Sequence, residues 1–211
     1  LLFSKVRLFL SNNHLSSIIC NFEKAVQHIK EIIVILTRSK ILDEIERKNI
    51  LIEPFREECL GLNSYDIHLS RHLLTFTERV LDAKTKNPME ELVIPKEGLV
   101  LTPGIFYLGV SEEYTETPKH VPFLEGITSA SRLGIIINPS SGKGSIGHCN
   151  TWTIELSVLH PVRIYHGMPI AQLFFLNVDG KVDESYSNLK TAKYNSRSIK
   201  PTESMMWKNE F

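Results

Sequence analysis

This sequence predicts an all-β barrel or sandwich core, and three observations carry the prediction. Tyr65-Asp66-Ile67-His68-Leu69 alternates, with Tyr65, Ile67 and Leu69 on one side and Asp66 and His68 on the other. That two-residue period belongs to a strand with one buried face. Brief apolar runs at Leu92-Val93-Ile94, Leu99-Val100-Leu101 and Ile105 to Val110 are punctuated by Pro95 to Gly98 and Thr102-Pro103-Gly104. Short strands divided by Gly/Pro turns are the pattern of a closed or double sheet. Thr151 to Val158 alternates again. Trp152, Ile154, Leu156 and Val158 share its apolar face, and Thr151, Thr153, Glu155 and Ser157 its polar face.

The elements follow in order. Residues 1–33 read differently from the rest and are taken as an N-terminal extension of uncertain order, in which Asn21 to Ile33 has helical spacing through Phe22, Val26, Ile29 and Ile33. The compact domain is taken as 34–211. Thr37 or Ser39 can cap a helix through Lys40 to Lys48, with Ile41, Leu42 and Ile45 as its buried stripe. Asn49 ends it, Ile50 and Ile52 start a short strand, and Pro54 to Gly61 is a loop. Past the central strands, Val162 to Tyr165 and Ile170 to Leu176 add two more, joined at His166-Gly167-Met168-Pro169. From Asn177 the chain is polar, with Lys181, Lys190, Lys193, Arg197 and Lys200 interleaved with Tyr186 and Tyr194. Such a tail is either a solvated end or a cationic flap that closes over a phosphorylated ligand.

Composition narrows the function. With 211 residues the chain is long enough to bury a full core without staples. Lys+Arg and Asp+Glu are 24 each, for a formal net charge of zero. That balance argues against a general nucleic-acid or anionic-membrane binder. Cys20, Cys59 and Cys149 are too few and too scattered for a disulfide framework and suit a reducing cytoplasm. The runs Leu8 to Leu10 and Ile32 to Leu36 are too short for a secretory signal or a membrane span.

The chemistry concentrates between Leu124 and Glu155. Gly126 to Ser131 is a turn of small hydroxylated residues, followed by Arg132-Leu133-Gly134 and the apolar run Ile135 to Ile137. The loop Asn138 to Gly147 holds three glycines, three serines and a proline. Glu155, the single ionisable group on its strand's polar face, would alone read as a solvent-facing carboxylate. Set beside a fixed cation and a cluster of hydroxyls, it has the parts of a polar-ligand site. Lys143 lies in Gly142-Lys143-Gly144, within reach of a phosphate, although the P-loop spacing is absent.

Five stretches resemble dCTP deaminase, of the trimeric dUTPase-like superfamily. They are Asn63 to Leu69, Gly126 to Gly134, Thr151 to Leu156, Gly167 to Leu173 and Ala192-Lys193-Tyr194. The resemblance runs over Val34 to Phe211. It implies a distorted β-barrel or jelly-roll with a few short helices, a C-terminal flap over about 177–211, and three copies with active sites between them. It implies hydrolysis of dCTP to dUTP and ammonia, feeding thymidylate synthesis, with magnesium on the triphosphate and dTTP as a possible feedback inhibitor. Glu155 matches the family's general acid/base, Arg132 its essential arginine, which would hold that carboxylate ionised, and Thr128 a serine that orients water. Ile127, Ser129, Ala130, Ser131, Ser145, Thr153, Ile154, Tyr186, Lys193 and Arg197 fall on nucleotide-contact positions, with the backbone of Thr153 and Ile154 reading the cytosine edge. No zinc is implied, since the HxE…PCxxC pattern of the zinc deaminases is missing and His148-Cys149 has no partner pair.

Four positions depart from the family pattern. Ile127 stands for Arg or Lys, Asn138-Pro139-Ser140-Ser141 for His-x-Thr-Ala, Ser145 for an aspartate near the sugar, and Arg197 for a glutamine. Losing a phosphate cation or a sugar carboxylate costs on the order of 1–3 kcal/mol of binding each. Two alternatives therefore stay open: a catalytically impaired nucleotide-binding trimer, and a dUTPase-type diphosphatase, against which Ser145 argues.

Overall fold

The alternating segments become strands of one curved sheet. The computed structural model describes residues 34–137, 141–195 and 197–211, so the extension 1–33 and the helix expected over 21–33 lie outside the described residues. Helix α1 (Arg38–Glu46) leads into β1 (Leu51–Glu53), then β2 (Tyr65–Phe76), β3 (Met89–Val93), β4 (Leu99–Leu101), β5 (Tyr107–Thr117) and β6 (Val121–Gly126). One helical turn, α2 (Thr128–Arg132), precedes β7 (Ile135–Ile137), β8 (His148–Val158), β9 (Val162–Ile164) and β10 (Pro169–Leu176). The main sheet runs β6-β10-β2-β5-β8-β7, with β1 added on β5 and β3 on β2, while β4 and β9 pair separately. Its two ends curl back together. A Cβ built on Gly126 of β6 would meet the Ile137 Cβ of β7 at 3.4 Å. The result is a mainly β, barrel-like architecture, one of the two that the strand spacing allows and the one that the family resemblance implies.

The core is built from the inward positions of the long strands. Tyr65, Ile67, Leu69 and Leu73 of β2, Ile154 and Leu156 of β8, and Ile170, Leu173 and Phe175 of β10 are all inaccessible to solvent. Each such side chain contributes about 1.5–3 kcal/mol of burial. Tyr65 keeps its hydroxyl satisfied there: it accepts the Arg56 N–H at 2.8 Å and donates to the Pro54 carbonyl at 3.3 Å.

Tertiary pairing extends several segments beyond their sequence signals. The alternation at Tyr65 to Leu69 is the first half of a strand that continues to Phe76. β5 begins at Tyr107 and runs to Thr117 through two adjacent glutamates. Glu113 is fully buried in it, accepting from the His68 N–H at 2.9 Å and bonded to His68 Nδ1 at 2.7 Å, with Arg56 3.5 Å away. A buried carboxylate survives only with such partners. They meet where β5 shifts register against both β2 and β8, as bulges re-aim side chains. The hydroxyl-rich turn after Gly126 proves to be α2, and β8 starts three residues before the alternation does, at His148.

Candidate functional site

Glu155 lies on β8, one residue before the stretch that pairs with β7. β7 pairs with β8 only along Leu156 to Val158. On the other side of β8, Thr153 and Glu155 stand opposite Val110 and Leu108 of β5. Beyond the end of β7, no described strand covers the outer edge of Thr153, Ile154 and Glu155. The segment 141–147 and the C-terminal tail close around this place and leave a cavity of about 410 Å³.

One end of the cavity is apolar, formed by Phe76, Phe106 and Leu108 beside Glu155. Phe76 and Phe106 reach it because Thr75 of β2 pairs with Tyr107 of β5, which brings their neighbours together. The other end is polar and aromatic, with Ser145, His148, Asn150 and Tyr186. The His148 ring stacks on Trp152, 4.2 Å between centroids and 20° between planes. Burial lowers the His148 imidazole to about 4, so at neutral pH it is an uncharged plate. Burial also pushes the Glu155 carboxyl above its ordinary value. A carboxyl so raised takes up and returns a proton nearer neutrality, and flat aromatic walls suit a planar ring.

The tail from Tyr186 is tied down residue by residue. The Tyr186 hydroxyl accepts the N–H groups of Lys193 at 3.2 Å and Tyr194 at 3.0 Å. Asn150 Nδ2 donates to the Tyr194 carbonyl at 3.1 Å. The Thr151 hydroxyl donates to the Ser198 carbonyl at 2.7 Å, and the Thr202 N–H donates to the Thr153 hydroxyl at 2.9 Å. The polar face of β8 thus binds the tail as well as presenting Glu155.

The residues singled out from sequence fall into two groups. Glu155, Thr153, Ser145 and Tyr186 line the cavity, and Ile154 lies between two of them with its side chain in the core. Thr128, Ser129, Ala130, Ser131 and Arg132 form α2, with Ile127 before it, and none of these is among the described lining residues. Thr128, Ser129, Ser131 and Arg132 are exposed, and Ala130 is buried. Within one copy of the chain, the cavity around Glu155 thus has burial acting on the carboxyl, while Arg132 lies outside its lining. Lys193 directs its ammonium to Asn209. Arg197 pairs with Glu53 at 3.0 Å and lies 4.6 Å above the Tyr114 ring. Sequence reasoning missed Phe76, Phe106, His148, Trp152 and Glu203 as wall residues. Trp152 and His148 carried a signal in their four-residue spacing beside a glycine-rich loop; Glu203 sits in an aperiodic segment and carried none.

Fold and cavity together define a barrel-like β protein with an aromatic-walled, polar pocket beside Glu155. The model of the dCTP deaminase-like family matches residues 35–178, and the chain belongs to that family. It is 42% identical over 170 residues to "dCTP deaminase, dUMP-forming" of Clostridium acetobutylicum, covering 80% of this chain and 95% of that protein. A protein of the same name from Cytophaga hutchinsonii is 39% identical over the same coverage. Among solved structures, the 2'-deoxycytidine 5'-triphosphate deaminase of Agrobacterium tumefaciens shares the fold, with a TM-score of 0.56 and 16% identity, over 69% of this chain and 49% of that one.

Proposed function

We propose that this chain is a dCTP deaminase in which Glu155 moves the protons. The observation that supports it most is the placement of Glu155: a carboxyl raised by burial, lining an aromatic-walled cavity in a chain of this family. The cytosine lies against the aromatic walls with its hydrogen-bonding edge on the backbone of Thr153 and Ile154. Glu155 takes a proton from water as the oxygen attacks C4 and delivers it to the ring nitrogen, then relays the proton of the new C4 hydroxyl to the departing ammonia as the C–N bond breaks. Thr128 orients that water and Arg132 stabilises the carboxylate. Both are exposed on α2 outside the cavity lining, which supports their arrival from a neighbouring copy in a homotrimer.

Sequence reasoning expected dUTP as the product. The name "dCTP deaminase, dUMP-forming" of the relatives favours dUMP, reached when the triphosphate is also cleaved, whereas the Ser145 hydroxyl, in the cavity where the family carries a carboxylate, argues against that second step. Magnesium enters this scheme with the triphosphate as part of the substrate.

Incubation of the purified protein with dCTP and magnesium tests the reading. Ammonia with dUMP and pyrophosphate is the expected outcome. Ammonia with dUTP would restore the single-step reaction, and pyrophosphate without ammonia would leave a diphosphatase. Bound nucleotide with neither product would leave a binding protein, the reading that Ile127 and Ser145 favour.

A further inference from the structure

Lys143 is the one lysine or arginine among the described residues that line the cavity. The cations that family resemblance would put on the phosphates are occupied elsewhere or lost. Lys193 bonds Asn209 and position 127 is isoleucine, while Arg197, a cation where the family has glutamine, bonds Glu53. Lys200 is also committed, to Glu91 at 2.5 Å. The lysine ion pairs among the described residues belong to Lys40, Lys86, Lys181 and Lys200, so Lys143 has no carboxylate partner there. Two carboxylates, Glu155 and Glu203, share the lining. Asn138, Pro139 and Ser140, next to this loop, bring no charge. An anionic ligand therefore meets a single lysine or arginine among the described residues of this copy's cavity.

The flanking glycines hold that cation in place. The Leu124 N–H donates to the Gly142 carbonyl at 2.7 Å and the Gly144 N–H to the Pro122 carbonyl at 2.8 Å, so Lys143 is bridged to Phe123 of β6. A Cβ on Gly142 would fall 2.2 Å from the Leu124 oxygen, and one on Gly144 2.7 Å from Pro122 Cγ. Close backbone approach requires glycine at both positions. The lysine between them starts from a fixed backbone while its side chain stays exposed, avoiding the cost of burying an ammonium.

We propose that Lys143 is the phosphate-anchoring residue of this pocket, its ammonium pairing with the phosphate chain of the bound nucleotide. The proposal rests on the reading of the cavity as a nucleotide site and names the residue that replaces the cations the family pattern would supply. Calorimetric binding to the intact protein tests it with dCTP, dCMP and deoxycytidine. Lys143→Ala should weaken dCTP by about tenfold or more, dCMP less, and deoxycytidine hardly at all. The loss should shrink at high salt, and Lys143→Arg should restore most of it. Lys143→Gln keeps most of the aliphatic stem and guards against a folding failure of the alanine variant. An equal loss for all three ligands, or no loss for dCTP, would overturn the proposal. Phosphate-dependent binding through Lys143 without release of ammonia would keep the proposal and sink the deaminase reading. If none of the three ligands bound the unaltered protein, both would fall.

Discussion

Replacing the Glu155 carboxylate by an amide of the same shape separates proton transfer from binding. Glu155→Gln should abolish ammonia release while changing the Kd for dCTP by less than about threefold; a variant with near-normal turnover would show that another group carries the protons. A second carboxyl governs stability. Glu44 is 5% exposed. Burial alone would raise it, but hydrogen bonds from Lys40, Asn49 and His120 outweigh that and hold it at about 2 against an ordinary 4.5. A depressed carboxyl stabilises the fold fully above its unfolded pKa, and the benefit is lost as pH falls toward the folded value. The contribution, on the order of 3 kcal/mol, should disappear between about pH 4.5 and 2. Urea denaturation across that window should therefore show a steep loss for the native protein and a flatter one for Glu44→Gln, with parallel curves counting against the network. These two residues differ in how far sequence exposes them. Alternation placed Glu155 on a polar face directly. The stripe in α1 pointed to Ile41, Leu42 and Ile45, and Glu44 is buried because His120, far along the chain, reaches it at 3.1 Å.

At the scale of elements, β8 does two jobs on its polar face, and only one shows in its sequence. Threonines alternating with core residues identify the strand. Nothing in that period says that Asn150, Thr151 and Thr153 bind an aperiodic tail, because hydrogen bonds from side chain to backbone leave no periodicity in either partner. The choice between a solvated end and a flap is for the same reason invisible in the cluster of lysines and tyrosines after Asn177. Thr151→Val keeps the volume and removes the bond to the Ser198 carbonyl. That bond contributes about 0.5–1.5 kcal/mol to holding the tail. Trypsin should then cut after Lys190, Lys193, Arg197 or Lys200 about tenfold faster, while the melting of the barrel barely moves. Unchanged cleavage would mean that the ion pairs of Arg197 with Glu53 and Lys86 with Glu203 suffice alone.

The whole molecule poses the question that one copy leaves open. An all-β core was readable from strand spacing, because each strand's period reflects its own buried face, but the choice of barrel over sandwich came from the family resemblance. The division of the site was not readable, since Glu155 and Arg132 are close in sequence and look like one motif, yet the described cavity takes one and leaves the other on the exposed face of α2. Around that helix, Leu133, Ile136 and Leu159 are 54%, 37% and 69% exposed, apolar surface of the kind that a second copy covers. If Arg132 of one copy serves Glu155 of the next, the variants Glu155→Gln and Arg132→Ala should each be inactive alone. Mixed by partial unfolding and reassembly in equal amounts, they must regain activity. A working interface needs Glu155 from one neighbour and Arg132 from the other, so random mixing yields about a quarter of the native sites. If the two residues instead act within a single copy, no combination restores both to one site, and the mixture stays as inactive as its components.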